Sequence, residues 1–369
     1  MHDLAYISSK FLIPGDFRSA VPYGSGHIND TYAVKFDQSG TTIRYVFQRI
    51  NHHVFPNPGK LMENVERVCA HAHGKLKAAG NPEASRYSLT LIPTRTGGNW
   101  HVEGLDHWRC YPFIEKAQTF DAIETPEQAT AAAKAFGRFQ GMLADLPGER
   151  LFETIPDFHH TRRRYQRLME VYQADPKGRA SLVREEIKFV RAREADASII
   201  VDALESGRIP ERITHNDTKL NNVMIDDVTG QGICVIDLDT IMPGTALSDF
   251  GDMIRTASNP AREDTQNLSE VRMRIEYFQA IAEGYLEGCA GCLTPAELDL
   301  LPFSGKLMTF ECGIRFLTDF LEGDVYFKTH RDGHNLDRCR AQFKLVTSLE
   351  EQMDEMTRQI DELVAVKSS

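Results

Sequence analysis

The sequence has no stretch approaching the roughly 20 consecutive apolar residues that a membrane span requires. Its opening run, Met1 to Gly15, lacks the basic start and long apolar core of a signal peptide. Positive charge is not in excess either: 42 Lys and Arg face 53 Asp and Glu, a formal net charge of -11. That balance disfavours a general attraction to phosphate backbones or anionic membrane surfaces. Any anionic ligand must be met by locally placed cations or a metal. These absences predict a cytoplasmic protein with neither nucleic acid nor membrane as partner.

Cysteine is present without a pattern. Seven cysteines, an odd number irregularly spaced, fit a reducing compartment better than a disulfide scaffold. The pair Cys289-Ala290-Gly291-Cys292 has no second ligand pair to complete a zinc site, so packing at a helix end is its expected role. His52, His53, His71, His73, His159 and His160 likewise lack a carboxylate or cysteine at ligand spacing, and are expected to be solvated or structural. There is no fixed-period repeat and no low-complexity tract.

What the chain does have is length. Its 369 residues, 41% of them hydrophobic, predict a globular protein of two domains or lobes. Short β-rich runs broken by Gly, Pro and Asn predict strands at Thr31 to Phe36, Thr42 to Ile50, Leu89 to Pro93, Asn99 to Val102 and Trp108 to Ile114. Leu61, Val65, Val68 and Leu76 predict one helix between them, over Pro58 to Ala79. From Pro126 the pattern is helical: Pro126 to Leu143, Thr161 to Tyr172, Arg179 to Glu205, Gln266 to Leu286, Pro302 to Leu321 and Leu336 to Val364. The exception is Val223 to Asp226 and Ile233 to Asp237, which flank Thr229-Gly230 and read as a hairpin. Strands give way to helices between Glu115 and Thr125, which predicts one lobe over residues 1–115 and another over 116–369.

The most informative segment directly precedes that hairpin. His215-Asn216-Asp217-Thr218-Lys219-Leu220-Asn221-Asn222 has the form H-x-D-x-x-x-x-N, and Asp237 follows at the end of a strand. Phosphoryl transfer needs a carboxylate near the attacking hydroxyl and oxygen ligands that hold Mg²⁺ against the phosphates. Asp217 fits the base, and Asn222 and Asp237 the metal ligands. Each residue alone could cap a turn or end a strand; their order, with the hairpin between, points to chemistry. His215 is expected to position the loop, because the analogous kinase pattern gives base chemistry to the Asp. Lys219 stands where a cation can meet the transferring phosphate, a solvated lysine being the alternative.

These residues resemble the aminoglycoside phosphotransferase and choline kinase superfamily, whose members share the eukaryotic protein-kinase-like fold. The resemblance covers most of the chain and implies an α+β, bilobal architecture with a small antiparallel-sheet N-lobe, a mostly helical C-lobe, and ATP and Mg²⁺ as cofactors. Thr214 to Met224 with Val235 to Thr240 is most similar to the N-acetylhexosamine 1-kinases, which phosphorylate the anomeric hydroxyl of GlcNAc or GalNAc. The alternatives are a kinase of another small alcohol, of aminoglycoside, choline or homoserine type, and a nucleotide-binding pseudokinase, against which the intact Asp217, Asn222 and Asp237 argue.

Asp249-Phe250-Gly251 spells the metal-binding triplet of protein kinases, yet it lies too far beyond Asp217 and opens a helix. Asp249 is expected to cap that helix and brace the catalytic loop, while Asp239 is either a second metal ligand or a turn residue. Gly24-Ser25-Gly26-His27-Ile28-Asn29 gives G-x-G-x-x-N ahead of two strands, a loop suited to cover a nucleotide with Gly24, Gly26 and Asn29. Where protein kinases carry a phosphate-gripping lysine, this chain has Gln48 and Arg49, which alternate across a strand. Position favours Gln48 and chemistry favours Arg49; Glu63 and Glu66 on the next helix lack an obvious partner. Tyr111 and Phe113, with the backbone around them, are the expected adenine contacts. The run Glu311 to Phe327 resembles its counterpart in hexosamine kinases, which implicates Arg315 and Tyr326, with His27, in holding the sugar. Arg315 could equally pair with Asp319 one turn on.

Overall fold

A computed structural model describes residues 2–24 and 28–368. The chain divides into two compact units, each assembled from separated segments. The first comprises Met1–Gln118, Asp145–Ile155 and Val223–Met242; the second comprises Thr119–Ala144, Pro156–Asn222 and Pro243–Ser369. The hairpin thus belongs with the N-terminal sheet, while the segment that carries Asp217 belongs with the helices.

The first unit is built on a five-stranded antiparallel sheet in the order Asp16–Pro22, Asp30–Gln38, Thr41–Ile50, Asp106–Pro112, Trp100–Glu103. Alternation sorts its faces. Val34, Phe36, Phe47, Trp108 and Cys110 bury one side against Leu4, Ile7 and Phe11. Gln48 and Arg109, partners in register, lie on the other side. The helix Pro58–Ala78 starts where Asn57 accepts the Lys60 amide and Pro58 takes a position that needs no amide donor. It buries Leu61, Met62, Val65 and Val68. Leu89 to Pro93, expected as a strand, makes no ladder: Ile92 donates to the Cys110 carbonyl at 2.9 Å, but Pro93 has no amide, and its carbonyl is taken by Leu12 at 2.8 Å. The strand Asp16–Pro22 was not expected, because this edge buries none of its residues fully and carries no apolar alternation.

The hairpin forms from Val223–Asp226 and Gly232–Val235, with Val223 opposite Val235 and Ala117–Gln118 as a third strand. Asp226 folds its turn by accepting the amides of Val228 at 3.0 Å and Thr229 at 2.8 Å, and Arg86 pairs with the same carboxylate at 2.5 Å.

The second unit is helical, with helices at Pro126–Leu143, Thr161–Ala174, Arg184–Arg191, Asp196–Glu205, Ala246–Ala257, Ile275–Cys289, Pro295–Glu322, His334–Glu351 and Met353–Ser368. Several expected helices are redrawn by tertiary contacts. Arg179 to Glu205 breaks around residues 192–195, where Arg193 turns to pair with Glu350 at 2.6 Å. The C-terminal run breaks at Gln352, whose side chain reaches the Met273 carbonyl at 2.9 Å. The helix expected from Pro302 starts seven residues earlier, at Pro295, because Thr294 and Glu297 form a capping box; Pro302 lies inside it. The helix expected from Gln266 begins only at Ile275.

Candidate active site

The loop that carries Asp217 leaves the short strand Arg212–Thr214 and ends in the turn Leu220–Asn222. Asn216 adopts a left-handed backbone, φ 64°, which asparagine tolerates better than most residues. Its amide side chain exchanges bonds of 3.0 Å with the hydroxyl and the carbonyl of Thr214. From the helix Ala246–Ala257, Asp249 accepts the amides of His215 at 2.9 Å and Asn216 at 2.8 Å, and its carbonyl accepts the Thr218 hydroxyl at 2.5 Å. Burial pushes the Asp249 carboxyl up to about 6, with His215 and the two amides opposing. Asp249 braces the loop but is not the cap; that place belongs to Thr245, whose side chain accepts the Ser248 amide, with Asp249 inside the first turn.

Asp217, half-buried, is brought together with three of the expected residues. Lys219 Nζ lies 3.7 Å from Asp217 Oδ1, and that carboxylate raises the lysine's pKa. Asn222 Nδ2 donates to the Asp217 carbonyl at 2.9 Å and lies 3.4 Å from Asp217 Oδ2. His215 is fully buried, edge-on to Phe136 at 5.4 Å, and its Nδ1 accepts the Asp217 amide at 3.3 Å. That ring is a brace behind the loop.

In the sheet unit, Asp237 is exposed and left-handed, φ 59°, two residues beyond Val235. Asp239 is buried. It pairs with Arg109, itself fully buried, and its other oxygen accepts from Asn29 Nδ2 at 2.5 Å. Arg109 Nε and Nη2 donate to Gln48 Oε1 at 3.0 and 2.9 Å, and Gln48 Nε2 donates to Thr31 Oγ1 at 3.1 Å. Arg49, on the opposite face, pairs with Asp30 at 2.5 Å and Asp106 at 2.9 Å. Among the described residues Glu66 pairs with no cation: burial raises its pKa, and Asn99 supplies its hydrogen bond. Among the described residues of this unit, Arg109–Asp239 is a fully buried ion pair. The sequence signal was available in Trp108-Arg109-Cys110-Tyr111, where a charge interrupts an apolar strand.

Asn64 binds the Phe152 carbonyl at 2.8 Å and the Ile241 carbonyl at 2.9 Å, which anchors the chain after Asp239. Gly24 has φ 85° and open space around its α-carbon, whereas Gly26 and His27 lie outside the described residues. Phe113 stacks under the Arg44 guanidinium at 3.7 Å and meets Tyr23 edge-on at 5.2 Å. The Phe113 amide, one of the expected adenine donors, is taken by the Arg44 carbonyl at 3.1 Å. Tyr111 is buried, and its hydroxyl has no hydrogen-bond partner among the described residues.

Arg315 makes no ion pair among the described residues. Its guanidinium lies 5.0 Å from the Phe158 ring and 5.5 Å from the Phe327 ring. The alternative partner, Asp319, is committed elsewhere: it accepts the amides of Val325, Tyr326 and Phe327, which folds that loop. Tyr326 is 62% exposed and stands edge-on to Phe327 at 4.8 Å. Arg164, which carried no sequence signal, donates to the Phe158 carbonyl at 3.0 Å. Lys219 also lines a cavity of about 770 Å³ with Asp121, Arg255, Glu263, Arg274 and Arg338.

Oxygen donors are the correct type for a hard divalent cation. With Asn222 Nδ2 turned to Asp217, its Oδ1 is the atom left to act as a ligand, and Asp237 presents an exposed carboxylate. Both residues fit Mg²⁺ in donor chemistry.

The sequence pattern that defines the phosphotransferase enzyme family matches residues 19–290. An aminoglycoside phosphotransferase from Alicyclobacillus acidocaldarius superposes with a TM-score of 0.59 at 12% identity, over 97% of this chain and 96% of its own. A microcompartment-associated aminopropanol kinase gives 0.56 at 14%, over 96% and 97%. A choline kinase from Cryptosporidium parvum gives 0.53 at 15%, over 93% and 92%. The shared fold is α+β and protein-kinase-like, with an antiparallel sheet towards the N-terminus and helices towards the C-terminus.

Proposed function

We propose a specific reaction from one premise: this chain belongs to the phosphotransferase enzyme family and is a kinase that phosphorylates an alcohol group of a small molecule. In our reading the acceptor is the anomeric hydroxyl of an N-acetylhexosamine, GlcNAc or GalNAc, the donor is ATP with Mg²⁺, and the product is the 1-phosphate. The observation that carries the reading is a braced carboxylate. Asp217 has its amide held by His215 and its carbonyl by Asn222, with the Lys219 ammonium 3.7 Å away.

Asp217 takes the acceptor's hydroxyl proton, and Lys219 offers charge to the phosphoryl group in transfer. Asn222 and Asp237 would hold Mg²⁺, which would supply neutralisation of the phosphate tail. Gly24, Gly26 and Asn29 cover the nucleotide, with Tyr111 and Phe113 as walls. Gln48 serves through Arg109, whose bond to Asp239 fixes the segment just past Asp237; Arg49, committed to Asp30 and Asp106, is not assigned to phosphate. Residues 1–115 with the hairpin form the nucleotide-covering part, and the rest of 116–369 holds the acceptor. Arg315, Tyr326 and His27 bind the sugar, a guanidinium without an ion pair among the described residues and an exposed ring suiting hydroxyls and a sugar face.

A second reading, an amino alcohol acceptor such as aminopropanol or choline, draws on Asp121, Glu124, Glu263 and Asp264 in the cavity. It is weaker, because Glu263 already pairs with Arg255, and Asp264 with Arg262 and His334. ADP release with ATP, Mg²⁺ and a panel of hexosamines, amino alcohols and aminoglycosides separates the two; silence with both hexosamines would discard the sugar claim. Asp217→Ala is expected to lower kcat by about 10² to 10⁴ with nucleotide binding retained, the usual range for a positioned base. Unchanged turnover would overturn the mechanism whatever the acceptor.

A further inference from the structure

The ring of His159 lies between the Asn216 carbonyl, which can only accept hydrogen bonds, and the Glu311 carboxyl, which only accepts while ionised. Its Nδ1 is 2.8 Å from Glu311 Oε1, and its Nε2 is 3.0 Å from the Asn216 carbonyl. A neutral imidazole has one N–H, so either tautomer would press a lone pair against an oxygen at hydrogen-bond distance. With Glu311 ionised, as its lowered pKa favours, only the imidazolium satisfies both contacts. Glu311, 1% exposed, has its second oxygen filled by the Thr161 hydroxyl at 2.6 Å.

We propose that His159, held as an imidazolium by Glu311, is a positioning residue that fixes the Asn216 carbonyl and through it Asp217. The inference rests on Asp217 as the base. Asn216 is the left-handed residue immediately before Asp217, so the orientation of its peptide sets the direction in which the carboxylate leaves the chain. Asp249 holds that residue's amide and His159 holds its carbonyl.

The charged surroundings of the ring agree with this state. Burial opposes its charge, but attraction and hydrogen bonding from Glu311, with a bond to Asn216, raise its pKa above 6.5; Arg315, on the same helix as Glu311, works against them. From the helix Ala246–Ala257, Asp249 and Asp252 add negative charge towards the ring. The Glu311 carboxyl is held low, its own burial being outweighed by His159, Thr161 and Arg315. A histidine whose folded value is raised loses this interaction as pH climbs through that value. Turnover therefore gains an alkaline limb set by His159.

Histidine ring ¹⁵N NMR of the full chain, assigned with His159→Gln, reads the protonation state without requiring any turnover. The expected spectrum shows both ring nitrogens of His159 protonated at neutral pH; a neutral ring there overturns the proposal. Kinetics then read the role. His159→Ala is expected to lower kcat about tenfold to a hundredfold at little change in nucleotide KM, the scale on which a small misplacement of a reacting group acts. His159→Gln, which keeps a donor for Asn216 but cannot titrate, is expected to recover part of kcat and to lose the alkaline limb. Glu311→Gln is expected to move that limb to lower pH. If both His159 variants keep wild-type kcat and its limb, the positioning role is wrong. Failure of the base assignment reads differently: unchanged kcat in Asp217→Ala with a protonated His159 ring would overturn Asp217 as the base, and with it the kinetic role of His159, while the imidazolium and its hold on the Asn216 carbonyl would stand.

Discussion

At the scale of single residues, the loop bearing Asp217 depends on the buried carboxylate of Asp249, which accepts two of its amides. Asp249 has an ordinary value of 3.8 and a folded value of about 6, raised chiefly by burial. The fold therefore binds a proton more readily than the unfolded chain in that window, and the contribution of this group to stability falls as pH rises from 3.8 to about 6. Loop geometry runs the opposite way. A protonated carboxyl turns one oxygen into a donor and cannot accept from both His215 and Asn216. An acid limb in kcat near pH 6 is expected, and Asp249→Asn, which offers one acceptor in place of two, should lower kcat at all pH values and lack that limb. A pH–rate profile of the two proteins checks both statements, and an unmoved limb would remove Asp249 as its origin. The triplet Asp249-Phe250-Gly251 shows what sequence conveys at this scale: that the residue matters was readable, but that it serves two amides rather than capping its helix depended on where residues 215–216 pass.

At the scale of elements, the helices Pro126–Leu143 and Ile275–Cys289 meet through glycines. A β-carbon on Gly137 would sit 2.3 Å from the Tyr285 carbonyl oxygen, and one on Gly288 would sit 2.3 Å from that of Lys134. Backbone cannot move aside as a side chain can. Gly137→Ala is therefore expected to destabilise by about 1–3 kcal/mol, the range for overpacking, although alanine is the better helix former. Gly74→Ala, inside the helix Pro58–Ala78 with nothing within 4 Å of its added carbon, is expected to stabilise by about 0.5–1 kcal/mol. Thermal unfolding of both variants is the measurement, and equal shifts would contradict the packing. Elements with strong local signals were legible: Thr125 as cap, Pro126 and an alanine-rich run set the first of these helices. The breaks at residues 192–195 and at Gln352 were not, because Glu350 and Met273 impose them from distant positions.

At the scale of the whole molecule, the sheet unit is not a continuous piece of chain. Val223–Met242 returns to it and brings Asp239, the partner of buried Arg109. A fragment of residues 1–118 would leave that guanidinium without its carboxylate, and an unpaired buried charge costs about 3–5 kcal/mol, a large part of a small domain's stability. The fragment alone is expected to stay unfolded by circular dichroism; a cooperative transition in it would show the pair to be dispensable. What the sequence by itself determined is the chemistry on offer. The order H-x-D-x-x-x-x-N, hairpin, Asp survives any arrangement of the remaining helices, because a loop and a two-stranded turn are short-range structures. The tertiary structure alone decided which distant groups hold that chemistry in place. Arg109 meets Asp239, Glu311 meets His159, and His159 meets Asn216, across 130, 152 and 57 residues of chain. No local pattern encodes such pairings, since burial turns a solitary charge or ring into a partner only when the packed core brings its complement alongside.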